Sequence, residues 1–254
     1  MEDKFRIEGR NPVLEALKSG RTIDKIYLAK GERQGSVTKI AAMARSRRIP
    51  VVEVDRKKLD EMAVTSAHQG VIANIPPVDY VELEDIIKAA EEKQEPLFVV
   101  ILDEIEDPHN LGSVIRTANA AGAHGVIIPK HRSAAMTAAA VKTAAGACFY
   151  TPVARVTNLA QAMRKLKEKG VWLTGADMAG DKNIFEADFS GPVGIVIGNE
   201  GKGMSRVVKE ECDFLVRIPM KGEIDSLNAS VSASIFLYQV VKARMEGSNG
   251  RSSG

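Results

Sequence analysis

The chain has 254 residues, of which 44% are hydrophobic and 27% charged, with a formal net charge of +2. That is an ordinary globular composition with room for one large domain or two modest ones, and no apolar run approaches the ~20 residues needed to span a bilayer. Cys148 and Cys212 stand too far apart for a disulfide framework or a Cys-x-x-Cys motif, and His68, His109, His124 and His131 lack metal-ligand spacing. The opening residues Met1–Phe5 carry acid and do not read as a secretory signal. The expectation is a cytoplasmic, metal-free protein.

The net charge conceals an asymmetry. Residues 1–58 hold 15 Lys and Arg against 8 Asp and Glu, while the rest of the chain is net acidic. A basic block beside an acidic one suggests a polyanion partner for the first, although a solvated surface accounts for it as well.

In chain order, Asn11-Pro12 predicts a helix start, and Val13, Leu14 and Leu17 supply an apolar stripe that Gly20 ends. Lys25–Ala29, Val51–Val54 and Val71–Ile75 read as strands, and Ser36–Arg48 as a helix carrying Ile40, Met43 and Ala44 on one face. Residues 1–78 thus predict a small αβ domain, followed by an acidic linker over 79–95 whose helix is too polar for a core. From Pro96 the rhythm becomes strand, loop, helix. Strands are expected at Leu97–Leu102, Gly125–Ile128, Val171–Thr174, Val193–Ile197 and Phe214–Ile218. Helices are expected at Leu111–Ala121, Thr137–Ala145, Leu159–Lys169 and Ser205–Glu211, with a long last helix from about Asn228 to Met245. Continuous apolar strands separated by helices predict a parallel sheet covered on both faces, an α/β domain over 96–246. The Gly, Ser, Asn and Arg tail over 247–254 predicts disorder.

Three segments carry chemistry. The first, Asp107 to Asn119, places Asn110 at a helix start and Arg116 two turns further on, beside Ile115, Ala118 and Ala121. A charge near packed surface wants an anionic partner. A snorkelling arginine paired with Glu104 or Asp107 is an equal alternative. The second, Gly194 to Met204, runs from an apolar strand into a loop with glycines at 198, 201 and 203. It is not a Walker loop, because Gly203 follows Lys202, and it lacks the placement of a dinucleotide fingerprint. The third, Val216 to Ser230, passes from a strand through a polar loop to Ser226 and Asn228, which are good helix caps in any protein.

Together these segments read N-x-G-x-x-x-R, I-G-N-E-G-x-G and I-P-M-x-G-x-x-x-S-L-N-A-S, in that order. The combination resembles the SpoU/TrmH family of RNA ribose methyltransferases, over roughly residues 96–245. Glu8-Gly-Arg-Asn-Pro-Val-Leu-Glu-Ala-Leu17 and His68-Gln-Gly-Val-Ile-Ala73 resemble the substrate-binding domain of its large-subunit rRNA branch, and the nearest type is a 23S rRNA guanosine 2′-O-methyltransferase. One departure stands out: Cys148-Phe149-Tyr150 follows Gly146-Ala147, where many relatives carry an acidic residue.

The resemblance implies a SPOUT domain with a trefoil knot, a homodimer with its site at the subunit interface, and S-adenosylmethionine as methyl donor. It implies that Gly198, Asn199, Gly201, Ile218, Met220, Ser226 and Leu227 hold the donor. Arg116, Asn110, Glu200 and Asn228 would be catalytic, and Arg10, Arg45, Arg47 and Arg48 are the candidates for RNA phosphate contacts. A tRNA ribose methyltransferase and a non-catalytic RNA-binding assembly factor are the alternatives. A nicotinamide-dependent dehydrogenase fails for want of the first-strand glycine fingerprint.

Overall fold

A computed structural model describes residues 5–32, 35–65 and 67–251. The first elements are β1 (Arg6–Glu8), α1 (Arg10–Lys18), β2 (Lys25–Ala29), α2 (Ser36–Ser46), β3 (Val51–Val54), α3 (Arg56–Met62) and β4 (Val71–Asn74). There follow α4 (Leu83–Lys93), β5 (Phe98–Leu102), α5 (Pro108–Ala120), β6 (Gly125–Pro129), α6 (Ala138–Thr143), a 3-10 turn at Ala147–Phe149 and β7 (Val153–Val156). The chain ends with α7 (Leu159–Glu168), β8 (Trp172–Ala176), β9 (Lys182–Asn183), β10 (Val193–Ile197), α8 (Arg206–Glu211), β11 (Phe214–Arg217) and α9 (Ala229–Arg251).

Two units fold around separate sheets. The first comprises the described residues up to Asp79 together with Ala135–Tyr150. Its sheet has the order β1-β4-β2-β3, with β4 antiparallel to both neighbours and β3 parallel to β2. Ile7, Leu17, Ile26, Ile40, Leu59 and Ile72 are fully buried in it. Residues 135–150 join this unit although their position in the sequence suggests the other. Glu8, 2% exposed, explains part of this. A buried carboxylate needs partners, and it receives the backbone amides of Val64 and Thr65 with Lys142 Nζ at 3.9 Å. Tyr150 adds a 2.8 Å hydrogen bond from its hydroxyl to Glu15.

The first helix starts one residue before Asn11. Its cap is Gly9, at φ +97, where a side chain would be strained. Arg10 fixes that start by donating to the Gln69 carbonyl (3.1 Å) and to Glu32 (2.9 Å).

The second unit spans Tyr80–Ala134 and Thr151 onward. Its sheet has the order β7-β6-β5-β10-β8-β11-β9, and every pairing is parallel. The expected α/β parallel core is therefore present. The helix expected to be a polar linker is instead part of that core. Leu83, Ile86, Ile87 and Ala90 of α4 recur at helical spacing and pack with Val99, Ile101, Met163 and Val196, while the charged residues face outward. A capping box between Glu82 and Asp85 opens this helix. At the far end, α9 continues through Gly247 to Arg251, past the expected disordered boundary. Extending a formed helix by one turn avoids a new nucleation cost. Ser252–Gly254 lie outside the described residues.

Candidate active site

Parallel α/β sheets bind ligands beyond the carboxyl ends of their strands. Here β8, β10 and β11 end side by side at a cavity of about 330 Å³ lined by residues 176–178, 197–203, Val216, Ile218, Met220, Ser226, Leu227, Ala229, Ser232 and Phe236.

The loop after β10 doubles back on itself. Asn199 and Gly203 exchange backbone hydrogen bonds of 3.0 and 2.8 Å. The Asn199 side chain accepts from the amides of Gly201 and Lys202 and donates to the Glu104 carbonyl. A Cβ on Gly198 would stand 2.3 Å from the Gly203 carbonyl carbon and the Met204 nitrogen. The glycine is thus required for the chain to pack on itself. Asp103, buried at the end of β5, anchors the loop's exit by accepting the Ser205 amide at 2.7 Å.

The three motifs meet at one carboxylate oxygen. Glu200 Oε1 accepts from Asn110 Nδ2 (2.9 Å), from Asn228 Nδ2 and from the Ala229 amide (3.0 Å). Asn228 Nδ2 also donates to Asn110 Oδ1 at 2.9 Å. Its own Oδ1 caps α9 through the amides of Ser230 and Val231. Asn228 therefore serves both as a cap and as a bridge, where the sequence suggests either role.

Asn110 is not the helix cap. Asp107 accepts the His109 amide and Pro108 fills the first turn, so Asn110 lies inside α5 and is only 9% exposed. Arg116 is exposed on the same helix. It pairs with neither Glu104, which binds Arg132, nor Asp107, and no bond among the described residues ties it to Asn110 or Asn228. The side-chain amides of those two asparagines are committed to Glu200 instead.

Every residue expected to hold the donor lines the cavity: Gly198, Asn199, Gly201, Ile218, Met220, Ser226 and Leu227. Ala176, Asp177 and Met178 were not anticipated. The signal available was their place at the end of a parallel strand. Of the RNA-contact candidates, Arg45 and Arg48 are exposed, and Arg10 is bound to Glu32. Arg47 has another task. It donates to the carbonyls of Leu17 (2.7 Å), Gly20 and Arg21 (2.8 Å each), closing the carboxyl end of α1.

The cavity suits an adenosyl sulfonium. Ile197, Val216, Ile218, Leu227 and Phe236 give an apolar lining, and Asp177, Glu200, Ser226 and Ser232 supply polar groups. The loop from Ile218 to Leu227 forms neither helix nor strand, leaving peptide groups for a ligand. Among the described residues, no helix is long and apolar enough to cross a membrane.

A parallel α/β domain with a ligand cavity and a polar cluster at its strand ends has the architecture of a small-molecule-binding enzyme domain. The comparisons make this specific. Residues 97–238 match the SpoU rRNA Methylase family, and residues 6–81 match the RNA 2′-O ribose methyltransferase substrate-binding domain. The chain is 48% identical to a putative TrmH family tRNA/rRNA methyltransferase of Bacillus subtilis, covering 93% of this chain and 94% of that one. The SpoU methyltransferase AviRb of Streptomyces viridochromogenes, solved with AdoMet, superposes with a TM-score of 0.78 at 28% identity, covering 96% and 92%. An AdoMet-bound rRNA methyltransferase of Sinorhizobium meliloti gives 0.76 at 30% identity, covering 94% and 87%. The chain belongs to the SpoU methylase family. It is an RNA methyltransferase whose methyl donor is S-adenosylmethionine.

Proposed function

We propose that the chain methylates a ribose 2′-hydroxyl of large-subunit rRNA, at a guanosine. The observation that carries this reading is the convergence of Asn110, Glu200 and Asn228 on one carboxylate oxygen beside the donor cavity. The 2′-O position is supported by the description of the matched substrate-binding domain, and rRNA by the Sinorhizobium relative. Methylation of tRNA is the alternative.

When bound, S-adenosylmethionine supplies an activated methyl carbon. Gly198, Asn199, Gly201, Ile218, Met220, Ser226 and Leu227 hold it, and the loop pairs across 198–204 keep the wall rigid. Glu200 fixes α5 and α9 through Oε1, leaving Oε2 open toward ligand. Arg116, exposed and uncommitted, binds the phosphate beside the target ribose and stabilises the developing alkoxide. Guanidinium is too weak a base to take the proton, so phosphate, water or Glu200 Oε2 accepts it. The same reading carries the trefoil knot, supported by the two motif loops that wall one cavity.

Residues 1–78 serve as the RNA-binding domain. Arg45 and Arg48 contact phosphates, and their joint replacement by alanine is expected to lower the slope of log affinity against log salt by about 1 to 2. Binding titrations at several salt concentrations check this, and an unchanged slope contradicts it.

A second copy of the chain completes the assembly. Val231, Tyr238 and Met245 are all exposed on α9, and their spacing of seven puts them along one side of that helix. Tyr238→Glu is expected to turn a dimer into a monomer in analytical ultracentrifugation. A wild-type monomer contradicts the assembly.

The function itself is tested by labelled methyl transfer to separated rRNA and tRNA fractions. Label in rRNA supports the reading, and label confined to tRNA establishes the alternative.

A further inference from the structure

A second cavity, of about 250 Å³, opens beyond the ends of β5, β6 and β7. Asp103 and Glu104 bound it on one side, His131 and Arg132 on another, and Asn158 and Ser205 close it. The loop after β10 links it to the donor cavity. Asn199 lines the donor side while its amide donates to the Glu104 carbonyl at 3.0 Å. Glu104 also begins the connection that leads directly into α5 and Asn110. A ligand seated in this second cavity therefore lies one hydrogen-bonded residue pair, Glu104 and Asn199, from the donor cavity.

Its mouth is built with care. Glu104 (φ 55) and Arg132 (φ 54) both take left-handed backbone conformations, which non-glycine residues adopt only when their surroundings impose it. The two are ion-paired, Arg132 Nη1 to Glu104 Oε1, at 2.7 Å. The Glu104 side chain is 14% exposed and that of Arg132 74%. The guanidinium engages Oε1 and leaves Oε2 without a partner among the described residues. Asn158 Oδ1 is committed to the Gln161 amide, and Asp103 Oδ2 to the Ser205 amide. Glu104 Oε2 is thus the acceptor that the cavity offers to a ligand.

We propose that this cavity receives the base of the nucleotide being methylated, and that Glu104 selects guanine. Guanine alone among the four RNA bases presents two adjacent donors, N1–H and the exocyclic N2–H, on its Watson–Crick edge. A carboxylate oxygen has two lone pairs, so Glu104 Oε2 can accept both while Oε1 stays with Arg132. Adenine and cytosine place a ring acceptor at that point, and uracil has a single donor between two carbonyls. Arg132 holds the carboxylate in place at the cavity through Oε1, so it is a positioning residue. The base then lies one loop away from the donor, as its own ribose must to meet the methyl group. This assignment rests on ribose methylation of RNA and adds the reader of the base.

The test uses the full-length chain, labelled S-adenosylmethionine, and two large-subunit rRNA transcripts that differ only in guanosine or inosine at the methylated position. Inosine lacks the 2-amino group. Wild type is expected to lose roughly ten- to a hundredfold in kcat/KM on inosine, the worth of one hydrogen bond to a charged group. Glu104→Gln is expected to lose a similar factor on guanosine and to show little further loss on inosine, with donor affinity unchanged in calorimetry. A merely structural role would leave the guanosine-to-inosine ratio as in wild type. Equal rates of the wild type on both transcripts, or a target other than guanosine, overturn the proposal while leaving methylation intact. No transfer to any RNA overturns the function together with it.

Discussion

Gly198→Ala is expected to abolish donor binding. The new methyl carbon would lie 2.3 Å from two backbone atoms of Gly203 and Met204 and 2.6 Å from the Gly203 carbonyl oxygen. Backbone cannot swing aside as the tip of a side chain can. The loop is also held by the mutual hydrogen bonds of Asn199 and Gly203, by the Asn199 side chain and by the Asp103 anchor. Relief must come from opening the loop, at a cost of about 1–3 kcal/mol for overpacking. That same loop forms a wall of the donor cavity. We expect donor affinity to fall by more than about a hundredfold, since a loss of ~1.4 kcal/mol already gives tenfold and positioning is lost as well. Calorimetric titration with S-adenosylmethionine measures this, and circular dichroism verifies that the sheet survives. Wild-type affinity in a folded variant contradicts the assignment of the cavity.

Arg116→Lys is expected to bind donor normally and to lose roughly 100- to 1,000-fold in single-turnover methyl transfer, the usual consequence of removing one preorganised donor to a developing anion. The side chain is exposed on α5 and makes no structural bond among the described residues, so stability should scarcely change. Lysine keeps the charge but offers a point instead of a planar fork, and cannot hold a phosphate in two places at once. A variant with wild-type single-turnover rates would remove Arg116 from the chemistry.

Much of the candidate site is legible in the sequence because its parts obey local rules. Gly198, Gly201 and Gly203 mark a tight loop, where Gly198 leaves no room for a side chain and Gly203 takes a positive φ, and Ser226 and Asn228 stand where a helix must begin. The family resemblance groups Asn110, Glu200 and Asn228, and hydrogen bonds join the three in the structure. What stays hidden is tertiary. Arg47 reads as a surface cation, yet it captures carbonyls some 26 to 30 residues earlier in the chain. The face of α4 that enters the core is narrow, so its charged majority misleads. Residues 135–150 follow a catalytic-unit strand in sequence but satisfy a buried Glu8 in the other unit. Ala176–Met178 give no periodic signal, because they lie where β8 ends and its alternation stops.

The most direct measurement of the central claim is mapping of the methylated linkage. RNA lacking this modification is incubated with the enzyme and labelled donor, then hydrolysed with alkali. A ribose methylated at O2′ resists cleavage, so the account predicts one labelled, alkali-resistant dinucleotide beginning with guanosine and derived from large-subunit rRNA. Label recovered in mononucleotides would place the methyl group on a base and contradict the account.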